Sequence, residues 1–378
     1  MKFKSLWIAG MMVAATMGQV QAGYIITDLG SLGGAFSTGY GINNVGQATG
    51  LFHVDAVPAE NAFLYSGGTM TDLGTLGGNR GSVGYGINDS GHVVGNAFTS
   101  DGSNHAFLFD GTTMKDLGTL GGSGNSIQSV GWAINNSGQV AGFSNNASGQ
   151  ERAFLYSGGS MTDLGTFGGP TGGQAINNMG HVAGYSFDSS GHSHAFLYDG
   201  TTMNDLGTFG GTEGWAFGMN DTGQVVGSYQ QNHGDHHAVL YSSGGLVDLG
   251  TLLGSTHSIA YDVNNAGQVV GFSSTRGAFL YSAGVMTELN ALIPGTGWNL
   301  AVARGINENG AIVGSGYHNG QARAFLLSPD ASSVAVPEPA SITMLGLGAI
   351  GLMFAGRKRR QMMMAVWAFS DDNQNSSV

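Results

Sequence analysis

Short apolar runs alternate with glycine-rich polar turns along this chain, and the alternation itself repeats over a long period. Residues 83–120 show one unit. Val83–Asn88 is apolar and aromatic and ends at Asn88-Asp89-Ser90-Gly91. That tetrapeptide is a turn signal, because Asn and Asp tolerate tight turns and Gly supplies positive φ. His92–Thr99 predicts a second strand, and Ser100-Asp101-Gly102-Ser103 a second turn. His105–Phe109 and Met114–Leu120 predict a third and a fourth strand, separated by Asp110-Gly111-Thr112. Helical periodicity of useful length is missing from the unit. The third strand, Ala106-Phe107-Leu108-Phe109, is apolar on both faces. A strand covered on one side would alternate, so sheet is expected both above and below this one.

Three signatures recur in fixed order. Asp-Leu-Gly begins at Asp28, Asp72, Asp116, Asp163, Asp205 and Asp248, with Glu288-Leu289-Asn290 as a degraded copy. Ile-Asn-x-x-Gly-x-x-x-Gly begins at Ile42, Ile87, Ile134, Ile176, Met219, Val263 and Ile306. Ala-Phe-Leu-Tyr and its variants begin at Ala62, Ala106, Ala153, Ala195, Ala238, Ala278 and Ala324. Successive copies are 40 to 47 residues apart. Four-stranded sheets of about 44 residues, stacked face to face, predict a β-propeller. The copies are circularly offset. The first Asp-Leu-Gly strand, Tyr24–Gly30, stands alone, and the last unit ends after its third strand, Ala324–Leu327. The expected fold is therefore all-β, a seven-bladed β-propeller over 23–329 whose last blade is completed by the N-terminal strand. An open solenoid would instead need capping units at both ends.

Both ends read as addresses. Lys2, Lys4, the apolar run Leu6–Met17 and Val20-Gln21-Ala22 predict a signal peptide over 1–22, cut between Ala22 and Gly23. A linker over 330–341 holds Val336-Pro337-Glu338-Pro339, and an uncharged stretch over 342–356 predicts a transmembrane helix. That stretch is slightly short of the roughly 20 residues that cross a bilayer. Arg357-Lys358-Arg359-Arg360 follows and would stay cytoplasmic, ahead of the tail to 378. Pro-Glu-Pro, a Gly/Leu-rich span and an Arg cluster in this order resemble the PEP-CTERM sorting domain of Gram-negative bacteria. The resemblance implies recognition by an exosortase, removal of the anchor, and delivery to the cell surface or extracellular matrix. Gln361–Val378 continues past the point where members of that family usually end.

His105-Ala106-Phe107 and His194-Ala195-Phe196, with His237-Ala238-Val239 as a partial copy, resemble the extracellular HAF repeat. The other units carry Asn61, Arg152, Gly277 or Arg323 at the first position. This resemblance covers about 23–329 and implies location and architecture rather than a reaction.

Charge narrows the partners. Between residues 23 and 335 there are six basic and 21 acidic residues. Phosphate neutralisation needs clustered Lys and Arg, so nucleic acid is not expected, which leaves cations, neutral polymers such as polysaccharide, or a surface protein open as partners. The chain has no cysteine, which excludes disulfide staples and thiolate chemistry.

Candidate chemistry is sparse. The repeated Asp of Asp-Leu-Gly would suit calcium, but repetition favours turn capping, because blade-building residues must repeat and a ligand site usually does not. The Asn pairs at 43–44, 135–136, 177–178 and 264–265 read as turn residues before sugar ligands. His233, His236 and His237, with Asp235 between them, form the densest imidazole group, ahead of His192 and His194, and a metal is weighed there against an ordinary polar loop. Trp132, Trp215 and Trp298 read as residues buried near the propeller axis or at a blade interface before sugar platforms. Nucleophile elbow, phosphate loop and His-Glu-x-x-His motifs are missing, so no catalytic residue, metal ligand or cofactor is assigned. The expectation is a non-enzymatic binding, adhesion or exopolysaccharide-associated module. The alternative is an extracellular polysaccharide hydrolase or lyase using carboxylates near the irregular segments Gly211–Gly218 and Ile293–Arg304.

Overall fold

The computed structural model describes residues 23–54, 59–122, 128–231, 234–243 and 245–330. The expected signal peptide, linker, transmembrane helix, basic cluster and tail lie outside the described residues, apart from Gly23 and Asp330. Among the described residues no helix is long and apolar enough to cross a membrane. Strands account for nearly all the regular structure, with one short 3₁₀ turn at Leu289–Leu292.

The unit over residues 77–118 consists of Gly77–Ile87, Val93–Thr99, Asn104–Phe109 and Met114–Gly118, joined in order as antiparallel neighbours. Five separate four-stranded sheets follow this scheme or its circular variant. A sixth, eight-stranded sheet contains two such sets, Ser37–Asp72 and Gly77–Gly118, linked by the single parallel pair Glu60↔Gly81. The variant is the sheet containing both chain ends of the fold. There Tyr24–Asp28 pairs antiparallel with Gln321–Pro329, from Tyr24↔Pro329 to Asp28↔Phe325. The first strand of each unit touches that of the next, and Trp298–Ile306 of the last unit returns to Ser37–Ile42 of the first. The strands therefore close a ring, and the fold is a β-propeller.

The core lies between sheets and repeats the sequence signatures. Phe63, Phe107, Phe154, Phe196, Phe279 and Phe325 of the third strands are completely buried, with Val239 in the equivalent place in one unit. Each packs against the neighbouring unit. Phe154, for example, shares a cluster with Val94, Ala106 and Leu117 of the unit before it. Such rings are large apolar groups whose burial stabilises by about 2–3 kcal/mol each.

The second glycine of the Ile-Asn motif exists for this ring. Gly142 faces Phe154 across the strand pair, and a Cβ there would lie 1.8 Å from the Val130 carbonyl oxygen and 2.9 Å from the Phe154 ring. Gly142→Ala is expected to lower the denaturation midpoint by about 1–3 kcal/mol of stability, the usual cost of overpacking. Chemical denaturation followed by circular dichroism measures it, and an unchanged midpoint would contradict the close approach.

A serine at the start of several first strands latches one sheet to the next. Ser129 Oγ donates to the Gly118 carbonyl at 2.6 Å and accepts the Ala106 N–H at 2.8 Å. Ser37, Ser82 and Ser258 repeat both bonds. Where Asp-Leu-Gly degrades to Glu288-Leu289-Asn290, the Asn290 side chain takes over, accepting from the Leu300 N–H at 2.7 Å. Sequence inspection does not single out these serines, although they recur at fixed offsets.

Candidate functional site

Each first strand leads into an asparagine whose side chain both accepts and donates, as Asn135 shows. Asn135 Oδ1 accepts the Gln139 N–H at 2.9 Å, closing its own turn. Its amide donates to the Gln139 side chain at 2.8 Å and to the Asn177 carbonyl of the next unit at 3.1 Å. The last of these contacts repeats from unit to unit, and Asn307 donates to Asn43 at 2.9 Å, so the ring of bonds is complete. The residues one place further on form a second ring, each backbone N–H donating to the next side chain, from Asn44→Asp89 at 2.8 Å round to Glu308→Asn44 at 2.9 Å. The asparagine pairs are thus turn residues that also tie the units together around the axis.

These rings line a polar mouth with a cavity of about 170 Å³. Its carboxylates are Asp89, Asp221, Glu308 and Asp262. Burial works against ionisation of Asp89, but hydrogen bonds from the Asn44 backbone and side chain and from Asn136 outweigh it and hold its pKa below the ordinary value. Asp262 differs in kind. The other units have Gly or Ala at its position. It accepts N–H bonds from Val263 and from Ile306 of the next unit, both at 2.9 Å. Burial, aided by the nearby Glu308 carboxylate, nevertheless raises its pKa to about 7.

A further step along the same strands is a β-bulge. The pairing slips between Gly39 and Gly41, Gly84 and Gly86, Gly131 and Ala133, and at the matching place in every other unit. One residue per first strand is left without a cross-strand partner, and a bulge of this kind re-aims its side chain. Those residues are Tyr40, Tyr85, Trp132, Gln174, Phe217, Tyr261 and Arg304, and together they line a chamber of about 270 Å³. Tyr85 packs against Trp132 at 4.2 Å between ring centroids and against Tyr40 at 5.1 Å. The Arg304 guanidinium lies 5.0 Å from the Tyr40 ring centre and 4.9 Å from that of Tyr261. Its Nε is buried without a partner, as is the Trp132 indole Nε1. Burial is the main cause that pushes the Tyr85 hydroxyl well above its ordinary pKa, so it is a neutral phenol at any physiological pH.

The other sequence candidates resolve into structural roles. Asp28, Asp72, Asp116, Asp163, Asp205 and Asp248 each accept the N–H of the glycine two residues on. The first residue of the His-Ala-Phe triplet faces this aspartate across the strand pair. His105–Asp116 is 2.8 Å, His194–Asp205 2.9 Å and His237–Asp248 3.0 Å, with Asn61 and Arg152 in the same position elsewhere. His237 is thus occupied within its sheet. His236 packs against Trp215 at 5.3 Å, Asp235 faces His257 at 3.4 Å, and His233 lies outside the described residues. Among the described residues no group of three His, Asp or Glu side chains is placed to hold a metal ion. Trp298 stacks on His318 at 4.6 Å. Of the irregular segments, Gly211–Gly218 supplies Phe217 to the chamber and one carboxylate, Glu213, and Ile293–Arg304 supplies Arg304 and no carboxylate. The chamber residues share one position of the first strand at which the units differ, but residue order alone does not show that they converge on a common space.

Residues 335–360 match the PEP-CTERM protein-sorting motif. That motif marks exported proteins for sorting at the membrane of Gram-negative bacteria, with an exosortase as the recognising enzyme. It contains Val336, Pro337, Glu338, Pro339 and the Arg357–Arg360 cluster, all outside the described residues, as is Ala22. Gly23 is described, and its carbonyl accepts the Asp330 N–H at 2.9 Å. No curated protein matches the chain. Among solved structures, a puromycin-hydrolysing peptidase of Mycobacterium tuberculosis aligns at 11% identity over 84% of this chain and 54% of its own, with a TM-score of 0.53. TolB of Acinetobacter baumannii aligns at 14% over 59% of this chain and 53% of its own, at 0.40. The Aleuria aurantia lectin, a six-bladed β-propeller, aligns at 12% over 83% of this chain and 97% of its own, at 0.38. The chain spans about half the length of the first two. These similarities concern the fold alone.

Proposed function

We propose that this chain is an exported, non-enzymatic binding module of the cell surface or extracellular matrix, a seven-bladed propeller of HAF repeats delivered by its exosortase signal. In this reading the signal peptide is removed between Ala22 and Gly23, and the helix over 342–356 holds the chain in the membrane until the sorting enzyme acts. Seven copies of the ring asparagine and the closed circle of first strands support the blade number. The observation that carries the function is where symmetry fails. The buried core and the ring asparagines repeat from unit to unit, while the bulge positions that line the chamber carry Tyr, Trp, Gln, Phe and Arg. The chamber wall has aromatic rings, a few polar groups and no carboxylate, and the carboxylates of the adjoining mouth, Asp89, Asp221, Asp262 and Glu308, are engaged as acceptors of backbone N–H bonds, which suits reversible recognition better than acid–base cleavage by a pair of carboxyl groups aimed at a substrate.

Full-length protein applied to a polysaccharide panel and to intact cells is expected to bind at least one component saturably, without changing its chain length. Release of shortened saccharides would favour the hydrolase or lyase alternative. Failure to bind any glycan, protein or cell surface would remove the binding role.

A further inference from the structure

We infer that the chamber is a subsite for a single carboxylated sugar ring, the hexuronate class, with Arg304 as its anion-binding group; this rests on the binding-module reading and narrows it to one site. Arg304 is the starting point. Its guanidinium makes no hydrogen bond and no ion pair with any described residue, and is held between the rings of Tyr40 and Tyr261. A cation among aromatic rings is attracted by their faces, but its donors still want an oxygen partner. Arginine placed without a counter-ion in a chamber wall is suited to a carboxylate arriving from outside, because its fork matches that group's two oxygens.

The rest of the wall sets the shape of the ligand. A volume of about 270 Å³ lies just below the usual range for small-molecule pockets and matches one ring seated inside. The rings of Trp132, Tyr85 and Phe217 line the chamber, and an aromatic wall suits the C–H face of a sugar ring better than a small hydrated ion. The polar groups are those a polyol uses. The hydroxyls of Tyr40, Tyr85 and Tyr261 and the Gln174 amide have no hydrogen-bond partner among the described residues. Tyr85 stays neutral because of its burial, so it keeps its proton to donate. Hydroxyl-rich ring, flat apolar face and one negative charge together describe a uronate.

The test uses the full-length protein with methyl β-D-glucuronide, methyl β-D-glucoside and benzoate, read by intrinsic tryptophan fluorescence and isothermal calorimetry. Saturable binding of the glucuronide at least tenfold tighter than the glucoside is expected, with benzoate weaker than the glucuronide. Arg304→Gln is expected to abolish that preference, and Gln174→Ala to weaken both sugars. The proposal is overturned if the glucuronide does not bind, if glucoside binds equally, if benzoate binds as tightly, or if a folded Arg304→Gln protein keeps the preference. Should Arg304→Gln fail to fold, the comparison of the three ligands on the unaltered chain decides. Binding to a polysaccharide panel together with a glucuronide preference unchanged in Arg304→Gln would leave the module intact and sink this subsite alone.

Discussion

Deleting residues 23–29 is expected to abolish the cooperative unfolding transition, and supplying the same strand from the other end of the fold is expected to restore it. The deletion removes all five cross-strand pairs to Gln321–Pro329 together with the Leu29 N–H bond to the Ala324 carbonyl. It also removes Leu29, 3% exposed in the cluster with Phe63, and the packing of Tyr24 and Ile26 on the cluster around Phe325. Ladder bonds at about 1 kcal/mol each and one buried leucine at about 2 kcal/mol approach the 5–15 kcal/mol by which domains are typically stable. The exposed edge of Gln321–Pro329 would then invite pairing with a second chain. Because Tyr24 lies opposite Pro329, a chain running from residue 30 to 330 and continuing through a short glycine linker into residues 23–29 can rebuild the same sheet. Calorimetry and size-exclusion chromatography should show an aggregating deletion variant and a monomeric, cooperatively melting permutant. A deletion variant that melts like the parent would mean the ring does not depend on its closing strand.

Asp262→Asn is expected to flatten the pH dependence of stability and to raise the melting temperature above neutrality. Burial raises the Asp262 pKa to about 7 in the folded protein, against an unfolded value near 3.8. Below pH ~4 the carboxyl is protonated in both states and costs nothing extra. Between about 4 and 7 the folded state holds a proton that the unfolded state has released, so stability falls as pH rises. At pH 8 the loss approaches ~4 kcal/mol, at 1.36 kcal/mol per pKa unit, less whatever solvation the channel returns. Asparagine can still accept one of the two N–H bonds from Val263 and Ile306, and carries no charge to desolvate. Denaturation midpoints measured from pH 4 to 8 should converge for the two proteins at the acid end and diverge at the basic end. Parallel profiles would mean that Asp262 ionises normally.

Several features were legible because they depend on short-range chemistry. Turn glycines, the doubly apolar third strand and the circular offset of the signatures are written in residue order, and they indicate sheets, their strand order and the return of the N-terminal strand. The aspartate of Asp-Leu-Gly was also readable as a turn cap, because the N–H it accepts is two residues away. The asparagine pairs are legible as turn residues, but only half of their work is local. The amide that closes a turn at Asn135 also reaches Asn177, 42 positions on, and no local pattern encodes that contact. Likewise the sequence reads the imidazole group near His236 as a polar loop before a metal site, but the pairing of His237 with Asp248 depends on strand register.

By itself, then, the sequence determined an exported chain with a sorting motif and a repeated β-unit whose core, turns and glycines satisfy steric and hydrogen-bonding demands within each sheet. Only the tertiary structure decided where the units meet and what they enclose. A one-residue slip of pairing at each bulge turns Tyr40, Trp132, Arg304 and their counterparts toward a common axis, against the strict alternation by which a strand is read. Ring closure then brings residues as distant as Arg304 and Tyr40 within 5.0 Å, which no local propensity specifies.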